Sequence, residues 1–286
     1  MKQDRFIAFI LMLVALSAIT GLAVITLFIF KEGLPIILHV GPSSFFLSTD
    51  WSPGQGHFGI LSMIVGSAAV MIGSMLIGLV FSLACAIVLT QFCPGKLVSV
   101  LKPSIELLAG IPSVVYGFVG VVTLVPLIRI YLGGPGLSVL AASIVLAVMV
   151  LPTVTSIAVD SLQSVPRSYW EGSMALGATR WQTTRMVMLK AARSGIVAAV
   201  ILGMGRAIGE TMAVIMVAGN ALDIPSSVLE PVRTLTSNIA LEMGYATGLH
   251  RQALFATGLT LFVIIMILNS VALVVSRRRA RAGGAR

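Results

Sequence analysis

Long runs of uncharged, apolar residues dominate this chain and restrict what it can fold into. Five such runs cover residues 6–30, 58–95, 107–128, 130–159 and 252–276, and a sixth, 194–222, is interrupted by only two charged residues. A helix crosses the hydrocarbon core of a bilayer with roughly 20 apolar residues. Only 10% of the residues are charged, against about a quarter in soluble domains. The sequence therefore predicts an all-α membrane protein with six transmembrane helices.

The basic residues are distributed unevenly between the segments that join these runs. With the N-terminus inside, fourteen of the nineteen lysines and arginines fall in cytoplasmic segments and four lie outside or at the outer edge. Cytoplasmic segments of membrane proteins carry an excess of lysine and arginine. We therefore expect both termini to be cytoplasmic. The net charge of +9 is explained by this topology, so no nucleic-acid partner is expected.

The same pattern divides the chain into three parts. Residues 1–57 form a first transmembrane helix and an outer segment, residues 58–276 form the transmembrane core, and residues 277–286 form a basic cytoplasmic tail. The first apolar run is longer than the apolar core of a secretory signal, so it is interpreted as a retained span.

The predicted cytoplasmic segment at residues 164–195 is unusually long and is patterned. Apolar residues at helical spacing after Pro166 predict a helix that begins near Arg167 and stops at Gly177. A second amphipathic segment follows. Two interpretations are open: a helix pair lying flat on the inner leaflet, or a docking surface for a cytoplasmic partner.

Arg206 and Glu210 are the two charged residues inside the sixth run. If the helix starts near Ser194, Arg206 lies about 18 Å along it, in the middle of the membrane. An arginine there costs about 2.5 to 3.5 kcal/mol on insertion scales, so it should face a partner or a water-filled path. One interpretation is that the two side chains, one helical turn apart, neutralise each other. The other is an anion path in which Arg206 attracts the ion and Glu210 limits its retention, and burial costs favour this second interpretation.

Pro112 predicts a bend in the third span. Proline removes one backbone donor and crowds the carbonyl of Leu108, four residues earlier. The motif lies at a depth similar to that of Arg206, so Ser113 and Tyr116 are candidate hydroxyl donors to the same anion. An ordinary packing kink is the alternative, because proline is common in membrane helices.

Two other groups of polar residues are possible sites. Glu106, near the inner end of the third span, is a candidate gate or a cap on Lys102, and the sequence does not distinguish these roles. The three histidines are not accompanied by clustered carboxylates or cysteines, so no metal site is expected.

Four stretches carry a resemblance to known families. Glu171, Ala175, Gly177 and Ala178 resemble the cytoplasmic signature loop of ABC-importer permeases. The stretches at 106–117 and 205–214, ELLAGIPSVVYG and GRAIGETMAV, resemble phosphate-importer permeases. The second of these, with the outer segment WSPGQGHFGI at 51–60, is more similar to the PstC type than to its PstA companion.

This resemblance implies a function and a set of partners. The function is ATP-driven import of inorganic phosphate by alternating access across a bacterial cytoplasmic (inner) membrane. The implied partners are a PstA-like second permease, an ATPase dimer docked on the signature loop, an extracytoplasmic phosphate-binding protein and membrane lipid. The chain lacks the spacing GxxxxGK[ST] of a nucleotide-binding loop, so ATP-Mg is expected on the ATPase and no cofactor is expected in this chain.

Other functions are compatible with some of these features. A permease for another oxyanion, such as sulfate or molybdate, would carry the same charges. A non-transporting membrane sensor or scaffold would also use a cytoplasmic docking loop. An intramembrane enzyme is disfavoured, because the spans contain no HExxH pair, no paired aspartates and no serine with a membrane histidine.

Overall fold

The computed structural model describes the backbone of residues 2–283 and the side chains of residues 7–271, and most of these residues are helical. The chain divides into two units, one with Met1–Leu61 and Ile239–Phe262 and the other with Ser62–Asn238 and Val263–Arg286. The side chains of the predicted basic tail, and its last three residues, lie outside the described residues. The predicted all-α class is confirmed.

The first unit combines the start of the chain with a segment near its end. Its elements are α1 (Lys2–Val40), α2 (Pro42–Leu47), β1 (Trp51–Ser52), β2 (His57–Phe58), the end of α13 (Leu235–Glu242) and the first part of α14 (Gly248–Gly283). A Cβ on Gly33 of α1 would lie 2.9 Å from the backbone of Ala256. Glycine therefore allows α1 and α14 to approach closely here, as small residues do in membrane helix pairs.

A buried polar cluster joins the hairpin to the later segment of this unit. The indole Nε1 of Trp51 donates to Glu242 Oε2 at 2.9 Å, and His250 Nε2 lies 2.8 Å from the same oxygen. Trp51 is 4% exposed and Glu242 is 7% exposed. The sequence did not indicate this pairing of a histidine with a carboxylate.

A second contact between a histidine and a carboxylate is exposed and stabilises the turn before the hairpin. The Ser52 hydroxyl donates to Asp50 Oδ1 at 2.6 Å, and His57 Nδ1 lies 2.5 Å from Asp50 Oδ2. These two bonds hold the pKa of Asp50 below its usual value.

The second unit contains the remaining helices. They are α3 (Leu61–Ile87), α4 (Gly95–Ala109), α5 (Ser113–Val119), α6 (Val125–Tyr131), α7 (Val139–Gln163), α8 (Arg167–Ala175), α9 (Arg180–Thr183), α10 (Leu189–Ala191), α11 (Arg193–Gly209) and α12 (Met212–Val217). Short π-helical segments extend α3 through Val88–Phe92, join α5 to α6 through Gly120–Leu124, and join α9 to α10 through Thr184–Met188.

Helix α7 forms the centre of this unit, because most of its side chains are buried. The Ser138 hydroxyl caps its first turn, and Pro152 lies inside it without ending it. A Cβ on Gly203 of α11 would lie 2.7 Å from Val154 and 3.0 Å from Val150. The glycine therefore sets the close packing of α11 against α7.

Within the described part of the chain, five helices are long and apolar enough to cross a membrane: Ile7–Val40, Leu61–Phe92, Ser113–Tyr131, Val139–Gln163 and Gly248–Val271. A bent pair, Arg180–Ala191 with Arg193–Gly209, meets at 72° and makes a sixth if it counts as one span. These agree with the six predicted apolar runs, but the third span starts later and the fifth ends earlier than predicted, because both helices are broken.

Candidate functional site: two broken helices and a helical loop

The first break lies at Pro112, as the sequence predicted. Helix α4 ends at Ala109 and α5 begins at Ser113. Proline has no N–H to offer the Leu108 carbonyl, and the Tyr116 hydroxyl donates to that oxygen at 2.7 Å instead. A side-chain donor therefore replaces the missing backbone donor.

The second break lies at Glu210 and was not predicted. Helix α11 ends at Gly209, Glu210 is extended (φ −70°, ψ 134°), and α12 begins at Met212. Glu210 Oε1 accepts from the Ala213 N–H at 3.2 Å, and the Glu210 backbone carbonyl accepts from the Thr236 hydroxyl at 2.8 Å. Both the carboxylate and the carbonyl of Glu210 thus stabilise the break.

The contact between Arg206 and Glu210 that a continuous helix predicts does not form, so that interpretation is wrong for this structure. The two residues are one turn apart only while the helix continues, and it ends between them. Arg206 Nη1 instead donates to Thr153 Oγ1 on α7 at 2.7 Å. Within residues 7–271, no carboxylate forms an ion pair with Arg206. The partner of the guanidinium is therefore a neutral hydroxyl, which leaves the positive charge uncompensated.

Thr153 is the site residue that sequence reasoning missed. It lies 53 residues before Arg206 and on a different helix, so no spacing rule connects them. The only sequence signal is a hydroxyl side chain directly after Pro152 in an apolar run.

The two breaks lie against each other, because α5 packs on α12. A Cβ on Gly117 of α5 would lie 2.8 Å from Met216 Sδ and 3.0 Å from Ala213 Cα. The structure therefore brings the two sequence motifs together, as predicted.

The remaining predicted residues of the path lie on α4 and α5. Ser113 is half-buried, and its hydroxyl has no hydrogen-bond partner among the side chains and backbone that the structure describes. Glu106 is exposed on α4. Lys102 Nζ lies 3.4 Å from Asp160 Oδ1 on α7, so among the described residues the ion-pair partner of Lys102 is Asp160 and not Glu106. The role of Glu106 as a gate stays a prediction.

The predicted helical loop is present. Helix α8 begins at Arg167, directly after Pro166, and ends at Ala175. Helix α9 follows, and Thr179 and Gln182 form a capping box at its start. The loop thus continues through α10 to the bend that leads into α11.

Gly177 ends α8 with a backbone conformation that favours glycine. Its φ is 81°, and a Cβ placed on it would meet nothing within 4 Å. The Gly177 N–H donates to Met174 O at 3.0 Å and the Ala178 N–H to Ser173 O at 3.3 Å, which is a Schellman motif. The glycine is therefore required by its positive φ and not by lack of space.

The surface of the loop is rich in exposed apolar side chains. Leu176 is 90% exposed, and it borders a shallow apolar cavity of about 450 Å³. Four other large side chains of the loop are also exposed: Tyr169, Met174, Trp181 and Met186. Glu171 and Ala175 are exposed and Ala178 is half-buried. Exposed apolar surface of this kind marks a contact with a protein partner or a membrane.

These features are typical of a membrane permease. The chain has apolar spans, two of which are broken side by side next to an uncompensated arginine, and it has an exposed helical loop. The chain belongs to the family described as binding-protein-dependent transport system inner membrane component, whose profile matches residues 78–281. The match includes both breaks and the loop. The chain is therefore an integral membrane transport subunit that works in a complex with other permease and ATPase subunits.

Relatives with similar sequences are also permeases. The probable ABC transporter permease protein YqgH of Bacillus subtilis is 44% identical over 93% of this chain and 88% of its own length. The phosphate transport system permease protein PstC of Xylella fastidiosa is 36% identical over 84% of this chain and 81% of its own. PstC of Haemophilus influenzae is 34% identical over 90% of each chain.

Solved structures share the fold. An inward-facing conformation of the MetNI methionine ABC transporter matches with a TM-score of 0.62 at 20% identity, covering 80% of this chain and 99% of that chain. An amino acid ABC transporter matches with a TM-score of 0.53 at 18% identity, covering 77% and 92%. These likenesses show the architecture of an ABC-transporter permease.

Proposed function

We propose that this chain is the permease subunit of an ATP-driven importer of inorganic phosphate, and that it moves phosphate into the cytoplasm by alternating access. The relatives named PstC are 33% to 36% identical to it over most of its length. The properties of the broken-helix site are those expected for the path of an anion.

The observation that carries the proposal is the neutral partner of Arg206. A guanidinium has five N–H donors, and Thr153 accepts one bond from it. The other donors and the whole charge are available to a phosphate, whose oxygens match the guanidinium fork. An arginine that served packing alone would have no interaction to offset the free-energy cost of placing its charge in the membrane.

Glu210 limits how long the anion is held. Its carboxylate lies at the neighbouring break and is bonded to a backbone N–H, so it repels a phosphate near Arg206. A permease needs weak binding, because an ion that is held tightly is not released. The Ser113 hydroxyl supplies a further donor, the Tyr116 hydroxyl lines the same place, and Glu106 is the candidate gate on the side of α4.

ATP hydrolysis reaches this path through the helical loop. Glu171, Ala175, Gly177 and Ala178 form the contact with the ATPase, and the positive φ of Gly177 fixes the angle between α8 and α9. Helices α9 and α10 lead through the 72° bend into α11, which carries Arg206. A displacement of the loop therefore moves α11 and, with it, the charge of Arg206. ATP-Mg is bound by the ATPase, and this chain has no cofactor of its own.

The assembly contains three other components. A PstA-like permease lies beside this chain, an ATPase dimer lies on the cytoplasmic side, and an extracytoplasmic phosphate-binding protein delivers the ion. Both termini of this chain are on the cytoplasmic side of a bacterial inner membrane, which the distribution of basic residues supports.

Transport by the purified complex tests the proposal. The complex is reconstituted in liposomes with its binding protein, and uptake of radiolabelled phosphate is measured with and without ATP. We expect ATP-dependent uptake that unlabelled arsenate inhibits and that sulfate and molybdate do not. Inhibition by sulfate or molybdate at equal concentration would assign a different oxyanion, and absence of flux would favour a sensor or scaffold.

Cysteine labelling tests the orientation. We expect a cysteine at Ser168, on α8, to react with an impermeant reagent only from the cytoplasm, and one at Ser48, between α2 and β1, only from outside. Labelling at Ser168 from outside would contradict the proposed topology.

A further inference from the structure

A buried segment of the second unit, residues 232–238, is bonded to both ends of the short helix α12. Six of its seven residues are buried, and the seventh, Arg233, is half-buried. The Leu235 N–H donates to Ser67 Oγ on α3 at 2.9 Å, and a Cβ on Gly66 of α3 would lie 2.5 Å from the Arg233 carbonyl oxygen. The 232–238 segment is therefore packed directly on α3, one of the long apolar helices.

The bond to the start of α12 is made at the second helix break. The Thr236 hydroxyl donates to the Glu210 carbonyl oxygen at 2.8 Å, at the residue where the helix is interrupted. Thr236 is buried, so little water competes with this bond. The carboxylate of Glu210 belongs to the proposed phosphate path, whereas this bond uses only its backbone. The bond therefore fixes the position of the break relative to α3 without involving the charge of Glu210.

The bonds to the end of α12 come from both backbone and side chain. The Val232 N–H donates to the Ala218 carbonyl at 2.9 Å, and the Asn220 N–H donates to the Val232 carbonyl at 3.2 Å. Asn220 has a left-handed backbone conformation with φ 56°. Its Nδ2 donates to the Ile215 carbonyl at 2.8 Å and so satisfies one of the free carbonyls at the helix end. Both ends of this six-residue helix are thus tied to one segment.

Arg233 connects the two ends of this arrangement. Its Nε donates to the Asn220 carbonyl at 3.0 Å, and its Nη1 donates to Asn238 Oδ1 at 3.1 Å. Asn238 is fully buried, and its N–H donates to the Thr234 carbonyl at 2.9 Å. The two bonds of Arg233 come from different nitrogens of a planar guanidinium. A lysine, with a single ammonium nitrogen, does not reproduce their geometry.

We propose that Arg233 is a positioning residue for transport, which acts through Asn220 and the 232–238 segment to hold α12 in place relative to α3, so that α11 moves against α12 at the Glu210 break. The inference rests on the proposed function, in which a displacement of the helical loop moves α11 and the charge of Arg206. If α12 were released, it would move together with α11, and ATP hydrolysis would continue without changing the surroundings of the anion. Arg233 therefore acts through its hydrogen bonds and not through attraction of the anion.

The number of phosphate ions transported per ATP hydrolysed tests this role in the reconstituted complex. Arg233→Lys keeps the positive charge and removes the link between two acceptors, and it is compared with Arg129→Lys, which changes an exposed arginine on α6. We expect Arg233→Lys to transport at least about fivefold less phosphate per ATP, the factor that corresponds to one lost hydrogen bond. Its KM for phosphate should be unchanged, and Arg129→Lys should behave as the unaltered complex does.

Two results for Arg233→Lys would overturn the proposal. The first is unchanged transport per ATP, because the link would then not be needed. The second is an equal fall in uptake and in ATP hydrolysis, because general misfolding lowers both.

The Thr236 hydroxyl provides an independent pair of variants, which decides if Arg233→Lys does not assemble. Thr236→Val removes the donor to Glu210 and should lower the phosphate transported per ATP, whereas Thr236→Ser retains the donor and should restore most of it. Thr257→Val is the matched control, because the Thr257 hydroxyl is also buried but donates within its own helix, to the Ala253 carbonyl at 2.9 Å. Equal transport per ATP in Thr236→Val and Thr257→Val would contradict the proposal.

Hydrogen exchange of the intact complex separates this inference from the proposed function. If the unaltered complex transports no phosphate, the proposed function is wrong, but exchange still reports on the link between Arg233 and α12. We expect the amides of Asn220 and Val232 to exchange at least about fivefold faster in Arg233→Lys than in the unaltered complex, while those of α7 keep their rates. Equal rates at Asn220 and Val232, or faster exchange throughout α7 as well, would overturn the role of Arg233.

Discussion

The two broken membrane helices are stabilised at their breaks in different ways. At Pro112 a neutral phenol donates to the carbonyl that has lost its backbone donor. At Glu210 a carboxylate and a threonine from a later segment stabilise the break. The first break is held within α4 and α5, since the Tyr116 hydroxyl bonds to Leu108. The second depends on Thr236, which is 26 residues further along the chain.

This difference indicates which of the two breaks could close into a continuous helix. At Pro112 no backbone N–H can donate to the Leu108 carbonyl in any conformation, so the hydrogen-bond ladder of a continuous helix cannot be completed across the first break. No proline enforces the break at Glu210, so a helical connection between α11 and α12 remains chemically available to it. Arg206 lies one turn before this second break. We therefore expect α11, which carries Arg206, to move during transport and α5 to stay fixed.

The largest effect is expected at Arg206. Arg206→Gln should abolish phosphate uptake while the complex still assembles, because a charge about 4 Å away contributes on the order of 4 kcal/mol at an effective dielectric constant of 20. Uptake and gel filtration of the reconstituted complex measure the two effects. The double variant Arg206→Gln/Glu210→Gln should remain inactive. Near-normal uptake by that double variant would show a self-contained ion pair and would contradict an anion path.

The C-terminal end of α8, which lies outside the two breaks, provides the next test. Gly177→Val forces a β-branched residue into a positive φ, which costs roughly 1 to 2 kcal/mol. Uptake and stimulated ATPase activity should fall together while the spans stay folded.

Gly172→Ala is the matched control for Gly177. Gly172 lies inside α8, and a Cβ there meets nothing within 4 Å, so alanine should preserve activity. Normal uptake by Gly177→Val would favour a loop that lies on the leaflet and does not transmit force.

The third effect concerns the neutral partner of Arg206. Thr153→Val keeps the shape of the side chain and removes the acceptor, and a hydrogen bond to a charged group contributes about 1.5 to 3 kcal/mol. We expect about a tenfold loss in uptake at low phosphate concentration, with assembly unchanged. Thr153→Ser retains the hydroxyl and should restore most of the activity. Equal losses in both variants would assign Thr153 to packing.

A smaller effect is expected at Glu210 itself. Glu210→Gln keeps a side-chain oxygen for the Ala213 N–H but removes the negative charge, so phosphate should be held longer and turnover should fall severalfold. Single-turnover release and steady-state uptake separate these quantities. Faster turnover would show that the carboxylate does not oppose the anion.

The smallest effect is expected at the break next to Pro112. Tyr116→Phe removes the donor to the Leu108 carbonyl, but that carbonyl also accepts from the Ile111 N–H at 3.3 Å. The stability loss should be about 0.5 to 1.5 kcal/mol, which thermal unfolding in detergent measures. A large loss of uptake with normal stability would mean that the phenol contacts the ion and that the two breaks are alike in function.

The sequence predicted the parts of this molecule that depend on local chemistry. Pro112 marks a break because proline lacks an N–H, and Pro166 and Gly177 mark the start and end of α8 for equally local reasons. The apolar runs predicted the spans because the bilayer fixes the length of a crossing helix.

The parts that the sequence did not predict depend on tertiary contacts. The break at Glu210 requires the Thr236 hydroxyl, and the orientation of Arg206 requires Thr153 on another helix. Neither partner stands at a regular spacing from the residue it contacts. The pairing of His250 with Glu242 was missed because it forms only where the hairpin and the later segment of the first unit meet.

The discontinuous make-up of the first unit has a consequence for biosynthesis. Its early part ends at Leu61 and its later part begins at Ile239, and Trp51 and Gly33 make their contacts with Glu242 and Ala256 only after that later part exists. At about 5 to 20 residues per second, translation of the intervening chain takes on the order of tens of seconds. During this interval α1 stays in the membrane without its α14 neighbour, so the first helix to be inserted is among the last to find its native packing.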